Sequence, residues 1–577
     1  MNYKLFFDAP ELQLIRVQIE LPAQKGKQLM HLSKWRPGRY ELAPYAEKIV
    51  DARAFSISGK DLAVQKRSTH SWEIELEGEI AVFEYKFHAV VGDAGGSYFD
   101  HDQVYFNGIN LFMYDEDRLS EPCTVKLGLP EGYLIACGLK REGLTLFATD
   151  FHQLVDAPLI ASPTLQHHSF DVEGITHNLW FQGDVKPNWK RMTEDFTAYG
   201  KAQHLMFGGF PAEEYHYMFQ IHNKPTYHGV EHFNSTVIAL GPGYRFNEPN
   251  HYQEVLGVSC HELFHTWNVK SIRPADLQPY DYSTEDYSRL HYITEGVTTY
   301  FGDLLLLKSG VWGLGEFLSV FNRSAFKRHY ANHGRDHISL ENASFESWLV
   351  QYKVGVPNRK ISFYIKGALA AFILDTMIRR GSNNANSLDT VMKEMYERFG
   401  KTGLGYTKED YKSIAEAQAG HALDEYFRDY IEGIIPMEAG LEKAADYLGL
   451  SLVRKSAATR AERDYGFTLE STKQYARVKQ VHEGSPAMEA GLVPGDKLVA
   501  IQGHRAPLKE VEALLAFMKD DEDLQLHIFR NEVLEELVLE TKPDYAYGWY
   551  MLAENPMASE AQFKNRDAWA RIQPAKA

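Results

Sequence analysis

Cysteine is scarce: Cys123, Cys137 and Cys260 are the only three in 577 residues. So few thiols exclude a disulfide scaffold, and the odd number leaves at least one unpaired. Long apolar runs are missing too. The longest, Ala368 to Leu374, stops at Asp375, far short of the roughly 20 residues that a membrane-spanning helix needs. The first residues, Met1-Asn2-Tyr3-Lys4-Leu5-Phe6-Phe7, carry no basic stretch ahead of an apolar core. No signal peptide is therefore expected, and the expected location is cytoplasmic, or periplasmic if a leader has been removed. Positive charge is in short supply: 61 Lys and Arg stand against 78 Asp and Glu, a formal charge of −17. That balance argues against nucleic acid as a general partner and against attraction to anionic membranes.

What is present is globular. Apolar residues make up 44% and charged residues 24%, and the length predicts about three to four domains. The first part alternates with a period of two. Ile15, Val17 and Ile19, then Trp72, Ile74 and Leu76, then Phe83, Tyr85 and Phe87 each interleave with polar residues. This is the pattern of half-buried antiparallel strands, and it predicts a β-sandwich-like domain over residues 1–165. Residues 166–455 read as mostly helical, with helices near 251–268, 291–308, 364–380, 408–419 and 422–432 and an N-cap at Ser387. The polar run Arg454 to Arg460 reads as a linker to a smaller module over 460–545, and 546–577 forms a tail. The fold class expected is multidomain α+β.

The sharpest local signal is His261-Glu262-Leu263-Phe264-His265. In H-E-x-x-H, two imidazoles one helical turn apart share a face and can bind one zinc ion. Asn250 is the expected N-cap, with Gln253 completing a capping box. Tyr252, Val255, Leu256, Ser259, Leu263 and Trp267 form an apolar stripe, and the two histidines lie on the other side of the helix. Glu262, beside the ligands, can act as a general base toward a metal-activated water. A third ligand is required. Glu295, in Thr294-Glu295-Gly296-Val297, projects opposite a buried set of Ile293, Val297, Tyr300, Phe301 and Leu304. Spacing alone leaves it open between a ligand and a solvated surface carboxylate. Cys260, on the flank of the stripe, reads as a buried thiol.

The stretch His261 to Pro274, followed by Glu295-Gly-Val-Thr-Thr-Tyr300, resembles the glycyl aminopeptidase family of zinc metallopeptidases. These are gluzincins with a thermolysin-like catalytic domain. Trp35-Arg-Pro-Gly-Arg-Tyr40 resembles the family's N-terminal signature. Tyr364-Ile-Lys-Gly367, with Asp375 and Arg379-Arg380, resembles a later helical one. The resemblance implies one Zn²⁺ per chain on His261, His265 and Glu295, with Glu262 as general base. It implies that Gly229-Val230-Glu231 belongs to an edge strand along which substrate lies, with Glu231 holding the free α-ammonium. It also implies that Tyr364 donates to the oxyanion. On the residues alone, the favoured readings are an exposed strand residue for Glu231 and a buried aromatic for Tyr364. Thermolysin itself carries an Asp four residues after its third ligand; here Thr299 stands there and Asp303 one turn on. The partner that orients the imidazoles is open among Asp276, Asp281, Glu285 and Asp286, and Lys270 and Arg273 have no assigned role.

Near the C-terminus, Tyr465-Gly466-Phe467 and the run Ala490 to Gly503 resemble a PDZ domain. The resemblance implies a carboxylate-binding loop at Tyr465, Gly466 and Phe467, with a helix over Leu508–Lys519 beside a sheet edge that could take a peptide strand. The groove is equally open to occupation by the protein itself. Tyr547, Trp549, Tyr550 and Trp569 predict that the tail docks on the body. The expected function is removal of small N-terminal residues, Gly or Ala first, from peptides with a free N-terminus. The alternatives are a PDZ-assisted zinc endopeptidase and a non-catalytic peptide-binding protein with a structural metal.

Overall fold

A computed structural model describes residues 1–352, 359–519 and 522–571; residues 572–577 of the expected tail lie outside that range. The alternating segments form the predicted strands. Leu14–Leu21 pairs with Ala81–His88 in register Ile15↔Phe87, Val17↔Tyr85 and Ile19↔Phe83, so the apolar faces of both strands enter one core. They lie in an eight-stranded sheet. A three-stranded sheet, in which Ser71–Glu77 is central, adds Trp72, Ile74 and Leu76 to the same core. One pairing departs from the antiparallel expectation: Asn2–Ala9 runs parallel to Cys123–Gly128.

The middle of the chain holds helices and also a five-stranded sheet that the helical periodicity did not announce. Its strands lie in the order Gln166–Val172, Ile175–Gln182, Glu214–Ile221, Ser235–Gly241, Thr226–Glu231, the inner three mutually parallel. The last strand is antiparallel and forms the sheet edge. The HExxH helix spans Pro249–Phe264. Its N-cap is Glu248 and Pro249 occupies the first turn, not the Asn250 cap expected from sequence. Proline's fixed φ and missing N–H suit that turn, so the helix starts there. The predicted stripe, Tyr252, Val255, Leu256, Ser259 and Leu263, is buried.

The expected helix at 291–308 begins as a π-helical turn, Tyr292–Val297, and continues as Thr298–Lys308. A third helix, Phe363–Gly381, crosses the π turn. The crossing is made by two glycines: a Cβ on Gly296 would sit 2.6 Å from the Gly367 Cα. A Cβ on Gly302 would come within 3.1 Å of the His261 Cβ, so the first and second helices also touch at a glycine. These contacts set how far apart the side chains of the three helices stand.

The polar run read as a linker is, through Ser456, a strand. Leu450–Ser456 pairs with Gly548–Glu554, forming a two-stranded ribbon at the point where the chain enters and leaves the C-terminal module. The tail continues into a helix, Glu560–Trp569, whose Trp569 is fully buried and donates through Nε1 to Tyr300 Oη at 2.8 Å. The buried pair Asp375–Arg379 lies behind it: Asp375 accepts from Tyr300 Oη, and Arg379 donates to Ala568 O. This later helical signature thus holds the tail in place. Among the described residues, no helix is long and apolar enough to cross a membrane.

Candidate active site

The two histidines leave the C-terminal end of the HExxH helix toward the π turn. His261 Nε2 lies 3.7 Å and His265 Nε2 3.3 Å from Glu295 Oε2, and the two Nε2 atoms are 3.1 Å apart. Glu295 is only 2% exposed, which rules out the solvated-surface reading. π turns insert an extra residue and recur at functional sites; here one points Glu295 at both imidazoles. Burial opposes ionisation of Glu295, but His265 and His261 outweigh it and hold the carboxyl well below its usual range. Its Oε2 atom is buried and has no hydrogen-bond partner among the described residues. The set of two imidazoles and one carboxylate, with ligand atoms within 4.8 Å of one another, can hold a metal ion. The nitrogen and oxygen donors, the unpartnered Oε2 and the spacing fit zinc with an open position.

The orienting partner of His265 is a backbone carbonyl, not any of the acidic residues considered from sequence. His265 Nδ1 stands 2.9 Å from Asn268 O. The chain turns sharply after it: Val269, buried, has φ 98°, a strained value for a β-branched residue. The Asn268 side chain ties this turn to the π turn, donating to Ile293 O at 2.9 Å and Thr298 Oγ1 at 3.0 Å. Asp281 and Asp286 instead organise their own loop, where Asp281 N–H donates to Asp286 Oδ2.

Glu262 is buried, and its carboxylate faces the edge strand: a Cβ on Gly229 would lie 2.1 Å from Glu262 Oε1. Burial raises the Glu262 carboxyl above its usual range, against the pull of His265 and with the help of Glu231 and Glu295. Glu231, Glu262 and His265 also converge within 4.8 Å. Gly229 and Glu231 share a strand face by the period of two, so Glu231 and Glu262 approach the same space. Val230 points to the other face, into a small apolar core. Tyr364, on the first turn of the third helix, lines the same cavity as His261, Glu262 and Gly229. Burial, then Glu295 and Tyr352, hold its phenol well above the usual value, so it remains a proton donor. Cys260 is buried, as expected, and takes a hydrogen bond from Gln203.

The N-terminal signature enters the site, which sequence reading had not assigned. Gly38, at φ +79°, abuts Glu231 so closely that a Cβ would lie 2.4 Å from Glu231 Oε2. Tyr352 Oη donates to Gly38 O at 3.3 Å and lies 3.3 Å from Tyr364 Oη. Tyr40 packs on His291, one residue before the π turn, with ring centroids 3.9 Å apart and the planes tilted by 32°. Lys270 also gains a role. It donates to Asp156 Oδ1 at 2.7 Å, and Asp156 further meets His232 Nδ1 at 3.3 Å and the Phe233 N–H at 2.9 Å. Arg273 stacks over Tyr280 at 4.4 Å.

At Tyr465-Gly466-Phe467, where the resemblance implied a carboxylate-binding loop, one backbone N–H is already taken. The Gly466 N–H donates to Glu462 O, and a Cβ there would lie 2.5 Å from Tyr545 Oη. The short helix Arg460–Arg463 supplies that carbonyl and packs against Leu508–Phe517 and Phe467–Ser471.

Comparison with known proteins agrees with the geometry. Residues 2–163 match the model of the peptidase M61 N-terminal domain, and residues 254–370 match that of the M61 glycyl aminopeptidase. Over those two stretches the chain resembles the M61 family. It is a peptidase, and residues 477–528 match a PDZ domain. A solved aminopeptidase N family protein from Idiomarina loihiensis shares the fold with a TM-score of 0.90 at 24% identity, covering 99% of this chain and 100% of that one. An M1 zinc metallopeptidase mutant from Deinococcus radiodurans, bound to a Tyr-Ser-Ala substrate, aligns with a TM-score of 0.48 at 15% identity over 75% of this chain and 94% of that one. A search of curated proteins finds no significant match.

Proposed function

We propose that this peptidase is a zinc aminopeptidase that removes small N-terminal residues, glycine or alanine first, from peptides. The observation that carries the reading is the placement of Glu231: a buried carboxylate at the end of an edge strand, within 4.8 Å of the His265–Glu262 pair. A carboxylate there pairs with a charged N-terminus and offers nothing to an internal peptide bond. His261, His265 and Glu295 would hold the zinc. When bound, zinc polarises the scissile carbonyl and lowers the pKa of water to about 7. Glu262 takes the proton of the attacking water at a carboxylate oxygen and delivers it to the leaving amine. Tyr364 donates its phenolic proton to the developing oxyanion; one such donor typically contributes about 2.7–4 kcal/mol. The preference for small residues rests on the matching family model, described as a glycyl aminopeptidase.

N-acetylation of a good peptide substrate tests the Glu231 role. Acetylation should abolish cleavage by the wild type, and Glu231→Gln should lose most activity on the free peptide. Unchanged cleavage of the acetylated peptide would instead establish an endopeptidase.

A further inference from the structure

The cavity that contains His261, Glu262 and Tyr364 is about 580 Å³ and extends well beyond them, to Tyr227, Trp312, Arg323 and Arg328. We propose that Arg323 and Arg328 bind the C-terminal carboxylate of the substrate, so that the substrate class is short peptides with both termini free. This inference rests on the aminopeptidase reading above, because the position of the substrate amine sets the direction of the chain.

The direction follows from the edge strand. A peptide whose amine meets Glu231 can pair only along the free side of Thr226–Glu231, running antiparallel from Glu231 toward Tyr227. Glu231, Gly229 and Tyr227 share one face. At about 3.3 Å per residue, the four-residue step from Glu231 to Tyr227 spans roughly 13 Å, the length of a tripeptide to tetrapeptide. The two arginines line the same cavity as Tyr227 and Gly229. Arg323 belongs to the turn Asn322–Phe326 and Arg328 to the next, Lys327–Tyr330. Both are exposed, and neither forms an ion pair among the described residues.

Asp303 and Glu254 line the cavity too. Glu254 lies 3.3 Å from His251. Asp303 is lifted to about 7 by burial, against the pull of Arg323. Arg328 and Tyr227 both line this cavity. A guanidinium fork matches a carboxylate in two parallel hydrogen bonds. Trp312 and Val320 give the walls between apolar character.

The experiment compares Ala-Ala-Ala with its C-terminal amide, in the wild type and in Arg323→Ala, Arg328→Ala and the double variant. The readout is the ratio of kcat/KM for acid over amide, which cancels any general loss of active protein. The proposal predicts a ratio of about ten or more in the wild type, the scale of a charge-assisted hydrogen bond. The difference should lie mainly in KM, and the ratio should fall toward one in the double variant. Arg328→Lys, which keeps the charge, should retain part of it. Lengthening the peptide beyond about four residues should erase the wild-type ratio. A ratio near one in the wild type, or an undiminished ratio in the double variant, overturns the proposal. Failure of the wild type to cleave any peptide with a free N-terminus would sink the parent reading instead, and this proposal with it.

Discussion

The side chains that carry the proposed chemistry were legible to different degrees, and the reason is range. His261 and His265 are one helical turn apart, so the helix itself brings them together, and local sequence announces them. Glu295 shows only as a residue on a second helix, and its 2% exposure follows from a π turn that no local pattern foretells. The carbonyl of Asn268 that orients His265 has no sequence signature at all, because every residue has a carbonyl. At this scale Glu262→Gln is decisive. The amide keeps the shape but cannot accept a proton, so turnover should fall about 10²–10⁴-fold with zinc content unchanged. Paired turnover and metal assays check it, and full activity in that variant would remove Glu262 from the mechanism.

The elements meet where side chains are absent. Gly296 against Gly367 and Gly302 against His261 let three helices approach until His261, Glu262 and Tyr364 share one cavity. Sequence periodicity located all three helices, but not their crossing, which depends on residues distant in the chain. Gly296→Ala tests the crossing. Its Cβ would stand 2.6 Å from a backbone atom that cannot rotate away, so the helices must part. Overpacking of this kind costs roughly 1–3 kcal/mol, readable as a lowered denaturant midpoint. Zinc affinity should fall with it, since Glu295 precedes Gly296. A variant with wild-type midpoint and zinc affinity would show that this contact does not set the site.

Across the whole molecule, the N-terminal β domain takes part in the site. Gly38 packs on Glu231, and Asp156 meets Lys270, His232 and the Phe233 N–H. The Trp35–Tyr40 signature was visible in the sequence, but its destination lies about 190 residues away and could not be read from spacing. Burial opposes ionisation of Asp156, yet Lys270 and then His232 outweigh it and hold the carboxyl well below its usual range. A depressed carboxyl contributes stability that is present above its unfolded value, near 3.9, and lost as pH falls toward its folded one. Unfolding curves should therefore show the wild type losing stability below about pH 4 more steeply than Asp156→Asn, and parallel curves would contradict the role. The central claim, that hydrolysis at a free N-terminus depends on zinc held by His261, His265 and Glu295, has a direct test. The full-length protein is stripped of metal, refilled with zinc, and assayed on an unblocked alanyl peptide with metal content measured alongside. The account predicts one zinc per chain, no cleavage without it and recovery on refilling. Undiminished cleavage by the metal-free protein would contradict it.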